Sequence, residues 1–190
     1  ERGEFDEANA LVTAGRRVIG AITSMDQPVI ASLTGPAAGG GANIALACDL
    51  RIASDRASIG QTFNRIGLHP DWGGTWLLPR LVGRARAAEL FFFAEMIDAS
   101  EAQRLGLVNR VVPHDELETA TLEWAGRLAA KPRLSLALSK QALQRSYGST
   151  LDEMQDYEAD AQDQCFRSAD ALEGTRAFVE KRPPRFGAGE

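Results

Sequence analysis

A run of glycines joins an apolar strand-like segment to an apolar helix-like segment, and this junction constrains the fold more than any other feature. The segment extends from Ile30 to Asp49, with a predicted turn at Gly35-Pro36 and glycines at 39–41. Because glycine has no Cβ, a ligand can approach such a junction closely. The first turn of the following helix also presents N–H groups without intrahelical partners at an electropositive end. The junction therefore suits either tight packing of a helix on a sheet or stabilisation of an oxygen that gains negative charge in a reaction.

A second segment, from Gly67 to Arg80, combines one carboxylate with aromatic and glycine residues. Its carboxylate is Asp71, which is followed directly by Trp72. Partial desolvation beside an aromatic ring would raise the pKa of this carboxyl and make it a better proton carrier. Alternatively, Asp71 caps a helix that begins near Gly73. Both interpretations remain open from the residues alone.

Composition excludes several classes of function. A length of 190 residues suits one domain, or one domain with a packed appendage, and the net charge of −5 argues against binding to nucleic acid or to anionic membranes. No apolar stretch is long enough to cross a bilayer, and no secretion signal is visible. Cys48 and Cys165 lack metal-type spacing, so we predict two reduced packing residues, no metal site and a cytoplasmic location.

Apolar periodicity predicts alternating strands and helices, followed by a helical region. Alternation of this kind favours an α/β fold with its helices layered on a sheet. Two signals for the start of a helix are visible in the second half of the chain. They are Ser100 as an N-cap, and a capping box formed by Thr150 and Glu153. The predicted strands are 29–31, 49–54, 58–60 and 107–112, and the predicted helices are 7–25, 42–48, 85–94, 100–104, 115–130, 133–146, 150–167 and 169–181.

Together, the two glycine-containing segments resemble the crotonase superfamily, which has the enoyl-CoA hydratase/isomerase fold. The resemblance extends from the first helix to Phe186. It implies a crotonase-like α/β core of the ClpP/crotonase spiral type over residues 1–112, and a helical trimerisation region over residues 113–190. Members of this family are usually longer at the N terminus. We therefore expect the opening strands, and a loop with a second oxyanion donor, to be missing from this chain.

The resemblance also implies which residues form the active site. In the family, the middle glycine of the run, here Gly40, donates its main-chain N–H to a thioester carbonyl. Typical hydratases carry glutamates at the positions of Asn43 and Phe63, and neither of these side chains can exchange a proton near neutral pH. Asp71 occupies the position of an aspartate found in isomerases of phenylacetate breakdown and in chlorobenzoyl-CoA dehalogenase. Gly40 and Asp71 are therefore the predicted catalytic pair.

The C-terminal end of the chain matches the part of the family that approaches the adenine of coenzyme A. The matching residues are Phe178 and Lys181, because an aromatic ring can pack against a base and a lysine suits the phosphates. An amphipathic terminal helix with exposed charges explains the same residues without a ligand. The resemblance further implies an acyl-CoA thioester as substrate, no separate cofactor, and a homotrimer or hexamer.

Three functions remain possible. The first is an enoyl-CoA or epoxyacyl-CoA isomerase that shifts a proton with Asp71 over an enolate held by Gly40. The second is an enoyl-CoA hydratase of the fatty-acid β-oxidation type, against which Asn43 and Phe63 count. The third is a non-catalytic crotonase-like protein that only binds coenzyme A.

Overall fold

Strands and helices alternate through the first part of the chain, and helices alone follow, which confirms the predicted α/β class with a helical C-terminal region. The computed structural model describes residues 2–187. In chain order, the elements are α1 (Arg2–Ser24), β1 (Ile30–Leu33), β2 (Pro36–Ala38), α2 (Gly40–Ala47), β3 (Leu50–Ser54), β4 (Ser58–Gly60), a 3-10 helix (Thr62–Ile66), α3 (Gly74–Phe93), β5 (Met96–Asp98), α4 (Ala99–Arg104), β6 (Arg110–Val112), a second 3-10 helix (His114–Glu116), α5 (Leu117–Ala129), α6 (Arg133–Arg145), α7 (Leu151–Phe166) and α8 (Ala169–Val179).

The strands of the described chain form two three-stranded sheets. In the first sheet, β3 lies between β1 and β6 and is parallel to both, with Ile30 opposite Leu50. In the second sheet, β4 lies between β2 and β5, parallel to β2 and antiparallel to β5. Because β1 and β2 belong to different sheets, the chain passes from one sheet to the other just before α2.

By their contacts, the described residues divide into two compact units. The core unit comprises residues 2–24 and 29–123, and the helical unit comprises residues 25–28 and 124–187. The division falls inside α5. The predicted boundary after residue 112 separates the core of the family from its C-terminal region. A division by contacts does not test that boundary, so it stays a prediction.

The core unit is built around α2, whose buried residues are all apolar except Asn43. Leu78 of α3 and Ile52 of β3 are also almost completely buried there. The buried guanidinium of Arg51 donates hydrogen bonds to the carbonyls of Leu107 and Cys48, at 2.6 and 2.5 Å. Burial lowers the pKa of Arg51. The cation thus satisfies carbonyl groups at the C-terminal end of α2, where they lack intrahelical partners.

The helical unit relies on capping and on hydrogen bonds between its helices. The predicted capping box is confirmed: Thr150 and Glu153 satisfy each other's main-chain N–H groups at the start of α7. The hydroxyl of Tyr157 on α7 donates to the carbonyl of Leu138 on α6, at 2.9 Å. The Ser168 side chain accepts from the N–H of Ala171 and caps α8.

Some predicted element boundaries were wrong. The N-cap of α4 is Asp98, whose carboxylate accepts from the N–H of Glu101, and not Ser100. Pro36 begins an edge strand rather than a turn, a position that tolerates proline because no N–H is required there. The helix predicted at 85–94 is confirmed as the second of two helical segments in α3, which the non-helical residue Gly83 (φ 76°, ψ 162°) separates from the segment that begins at Gly74. Within the described residues, no helix is both long and apolar enough to cross a membrane.

Candidate active site

The glycine run places the start of α2 against the end of β4. Gly39 has φ 53°, a left-handed conformation that favours glycine, and its N–H donates to the carbonyl of Gly60 at 2.9 Å. Helix α2 begins at the next residue, Gly40. Within residues 2–187, no acceptor pairs with the N–H of Gly40. An amide at the electropositive end of a helix is therefore available to an oxygen that carries negative charge.

The indole ring of Trp72 packs against Gly40. A Cβ placed on Gly40 would lie 2.8 Å from Cε3 of this ring, and one placed on Gly15 of α1 would lie 1.9 Å from Cε2. Both positions therefore require glycine while the ring occupies this place. Trp72 itself has φ 45°, which is rare for a residue with a large side chain. Its buried Nε1 has no hydrogen-bond partner among the described residues.

Asn43 connects α2 to the loop that carries Asp71. Its side chain is fully buried: Nδ2 donates to the main-chain carbonyl of Asp71 at 2.8 Å, and Oδ1 accepts from Nε2 of Gln61 at 2.8 Å. Contact is so close that a Cβ on Gly74 would lie 2.5 Å from Nδ2 of Asn43. The sequence prediction recognised that Asn43 cannot act as a general base, but it missed this structural role and the buried Gln61.

Asp71 is half-buried in the loop before α3. Burial raises the pKa of its carboxyl, and a hydrogen bond from its own main-chain N–H and the proximity of His69 oppose that effect. The capping interpretation of its side chain was wrong, because the N-cap of α3 is Gly73 and no side chain caps this helix. Instead, the main-chain carbonyl of Asp71 accepts from the N–H of Gly74 at 2.9 Å.

Phe63 belongs to the same neighbourhood. A Cβ on Gly39 would lie 3.5 Å from Cζ of its ring, so the ring contacts the glycine turn. The beginning of α2 thus carries the neutral amide of Asn43 and lies against the aromatic rings of Trp72 and Phe63. The loop that carries Asp71 is joined to this helix through its main chain, because the carbonyl of Asp71 accepts from Nδ2 of Asn43.

Phe178 and Lys181 lie in the helical unit. Phe178 is on α8 with 85% of its surface exposed, and the exposed Lys181 follows the helix with φ 53°. The N–H of Lys181 donates to the carbonyl of Phe178 at 3.2 Å, which fixes their spacing along the chain. Their assignment to coenzyme A stays a prediction.

In the part of the chain that the structure describes, His, Cys, Asp and Glu side chains form no group of three or more that could hold an ion. Cys48 and Cys165 are not joined in a disulfide. The described neighbourhood of Gly40 contains the amide side chains of Asn43 and Gln61, two aromatic rings and the loop that carries Asp71.

Comparisons with known proteins identify one family of similar sequences. The family model for enoyl-CoA hydratase/isomerase matches residues 4–189. Crotonyl-CoA hydratase of Syntrophomonas wolfei is 42% identical over 95% of this chain and 69% of its own length. The 1,2-epoxyphenylacetyl-CoA isomerase of Escherichia coli is 41% identical over 87% of this chain and 63% of its own length.

A solved structure gives the same result for the fold. The enoyl-CoA hydratase from Bacillus anthracis superimposes with a TM-score of 0.92 at 37% identity, over 95% of this chain and 70% of the other. The predicted crotonase-like fold is therefore confirmed. The chain spans about two thirds of the length of these relatives.

Proposed function

The chain belongs to the enoyl-CoA hydratase/isomerase family, and from this premise we propose that it is an acyl-CoA isomerase. In this proposal, Asp71 carries the proton and the N–H of Gly40 stabilises the enolate of the thioester. The substrate is an enoyl- or epoxyacyl-CoA thioester, and no other cofactor takes part.

The proposed reaction on an enoyl thioester proceeds in two proton transfers. Asp71 removes a proton from one carbon of the acyl chain, and the electrons of that C–H bond move into the thioester, whose oxygen becomes negative. The N–H of Gly40 donates to this oxygen, and one such donor typically lowers the barrier by about 3 kcal/mol. Asp71 then returns the proton to a carbon two positions away, so the double bond moves and the carboxylate is regenerated.

The observation that carries the proposal is the character of the side chains around the start of α2. Asn43 and Phe63 cannot act as a general acid or base near neutral pH, whereas Asp71 can. Burial also raises the pKa of the Asp71 carboxyl, which makes its carboxylate a stronger base than an exposed one. A single carboxyl group suits an isomerase, because the group that removes the proton also returns it.

Hydration is the second candidate, and the names of relatives favour it. The proteins from Syntrophomonas wolfei and Clostridium acetobutylicum are named crotonyl-CoA hydratase and short-chain-enoyl-CoA hydratase. That reaction needs a group that activates water. Asn43 and Phe63 cannot do so, and this difference favours isomerisation over hydration in the present chain.

Binding of coenzyme A by Phe178 and Lys181 is part of the same proposal, as is a homotrimer or hexamer. High exposure of Phe178 leaves its ring available to a base, and Lys181 brings a positive charge for phosphate. Replacement of Lys181 by Met should weaken binding of free coenzyme A in calorimetry, and light scattering gives the oligomeric mass. Unchanged affinity or a monomeric mass would refute these assignments.

The central experiment compares Asp71→Asn with the unaltered protein on two substrates, a cis-3-enoyl-CoA and crotonyl-CoA. We expect isomerisation of the first substrate, and a decrease in kcat of about 10²- to 10⁴-fold in the variant, with binding of coenzyme A retained. Since the carboxylate is the active form, kcat/KM should rise with pH through a pKa above the ordinary value of 3.8. Rapid addition of water to crotonyl-CoA would instead favour hydration, and inactivity on both substrates would favour a protein that only binds coenzyme A.

A further inference from the structure

Two consecutive residues in the loop after Asp71 have left-handed backbone conformations. Trp72 has φ 45° and Gly73 has φ 76°. Glycine adopts this conformation without strain, but tryptophan does not. Strained backbone of this kind persists only when the surrounding structure holds it in place. The conformation of the loop, and with it the direction of the Asp71 side chain, therefore depends on contacts outside the loop.

The side chain of Asn43 provides such a contact from the first turns of α2. Its Nδ2 donates to the carbonyl of Asp71, one residue before the strained pair. Gln61 fixes the orientation of the amide, because its Nε2 donates to Oδ1 and leaves the NH₂ group facing Asp71. Full burial of Asn43 and its close packing against Gly74 leave it little room to move.

We propose that Asn43 is a positioning residue: its amide holds the Asp71 loop so that the Asp71 carboxylate faces a thioester bound at Gly40. This inference rests on the proposed function for its effect on catalysis. A carboxylate at position 43 could still accept from Gln61, but it would turn a negatively charged oxygen toward the Asp71 carbonyl where a donor stands now. An amide at position 43 therefore suits a site in which Asp71, and not residue 43, transfers the proton.

Asn43→Asp tests this role, because it keeps the shape of the side chain and removes the donor. We expect kcat on a cis-3-enoyl-CoA to fall about 10²-fold, as for a displaced catalytic group, while KM changes far less. Asn64→Asp is the matched control: Nδ2 of Asn64 also donates to a main-chain carbonyl, that of Phe91, at the same distance of 2.8 Å. Equal kcat values for the two variants would overturn the proposal.

A double-mutant cycle separates positioning from general loss of stability. If Asn43 acts through Asp71, the double variant Asn43→Asp/Asp71→Asn should be no slower than Asp71→Asn alone. If instead the decreases in kcat of the two single variants multiply in the double variant, Asn43 acts independently of Asp71 and the proposal is overturned. Asn43→Ala, which introduces no charge, replaces Asn43→Asp in the same cycle should the latter fail to fold.

A second measurement does not depend on activity. In a background with Trp76→Phe and Trp124→Phe, Trp72 is the remaining tryptophan, and its fluorescence reports the state of the loop. Asn43→Asp should shift this emission to the red and increase quenching by acrylamide, whereas Asn64→Asp should not. Unchanged emission with Asn43→Asp would overturn the inference. Failure of Asp71→Asn to affect isomerisation would instead overturn the proposed function and leave the loop result standing.

Discussion

In the core unit, apolar side chains from several helices and strands are buried together, whereas in the helical unit most large apolar side chains remain exposed. Almost all of the buried apolar residues, including Ile52 and Leu78, belong to the core unit, and in the described part of the helical unit only Ala177 joins them. Phe166, Phe178 and Val179 of α7 and α8 are each more than 70% exposed. The core unit has exposed apolar residues too, but in addition it has a buried cluster.

The difference indicates how each unit is stabilised. Burial of apolar surface is the main favourable contribution to folding, and nearly all of the fully buried apolar residues belong to the core unit. Helices of the helical unit depend more on local interactions, such as the capping box of α7 and the ion pair between Arg182 and Glu173. Such interactions are individually weak, so the exposed apolar faces of these helices agree with the proposed assembly into a trimer or hexamer.

The largest effect that this comparison predicts is on core packing. Leu78→Ala should lower the free energy of unfolding by about 2–5 kcal/mol, because the side chain is 1% exposed and its loss leaves a cavity. Leu151→Ala removes the same atoms from a side chain that is 73% exposed, so a change within about 0.5 kcal/mol is expected. Denaturant unfolding of both variants measures the difference.

A large decrease in the free energy of unfolding of the monomer on Leu151→Ala would contradict the comparison. Repeating the measurement over a range of protein concentrations sharpens the result. If Leu151 lies in a contact between copies, its substitution should matter only where the protein assembles.

A smaller effect is expected from glycines, which serve different purposes in the two units. Gly40→Ala places a Cβ within 2.9 Å of two atoms of the Trp72 ring and should cost about 1–3 kcal/mol of stability, as in overpacked cores. Gly126→Ala, in α5 of the helical unit, meets no atom within 4 Å and should gain roughly 0.5–1 kcal/mol through helix propensity. Thermal unfolding of both variants measures whether each substitution lowers or raises the stability.

Gly41→Ala provides the control for the first substitution, because a Cβ there also meets nothing within 4 Å. If Gly41→Ala destabilised the protein as much as Gly40→Ala, contact with Trp72 would not be the cause. Partial recovery in Gly40→Ala/Trp72→Leu would support that cause directly.

Local signals in the sequence were sufficient to predict much of the fold. The glycine run before α2 and the capping box of α7 each depend on residues close together in the chain, and both were confirmed. The three-residue strands β2 and β5 were missed, although β4, which has the same length, was predicted. Their strand conformation depends on pairing with β4, which lies elsewhere in the sequence.

Prediction of the candidate site was limited in the same way. Resemblance to the family identified Gly40 and Asp71 as site residues, and their roles remain proposals. Contacts of Asn43 with Gln61 and Asp71 span 18 and 28 residues of sequence, so no local pattern reveals them. Packing of Trp72 between Gly15 and Gly40 is equally non-local. The sequence therefore provided candidate residues for the chemistry, but it did not indicate the contacts that hold them in place.

The smallest expected effect concerns acid stability in the helical unit. The carboxylate of Glu173 accepts hydrogen bonds from the guanidinium of Arg182 and from the N–H of Arg185, and these lower its pKa to about 2 from an ordinary 4.5. Between these two values the folded state binds fewer protons than the unfolded state, so stability falls as pH decreases. The contribution of Glu173 is complete above the ordinary pKa and is lost as pH falls toward about 2.

Glu173→Gln should remove this part of the pH dependence, because an amide does not titrate. We expect the variant to be less stable than the unaltered protein at neutral pH, and the stabilities of the two proteins to converge in acid. Hydrogen exchange of the α8 amides measures this difference. Glu158→Gln removes another carboxyl group from the same unit and controls for net charge. Convergence in both variants would mean that net charge, and not the pair with Arg182, governs acid stability. A difference confined to Glu173→Gln would instead show that a local polar contact stabilises α8, where buried apolar contacts are few.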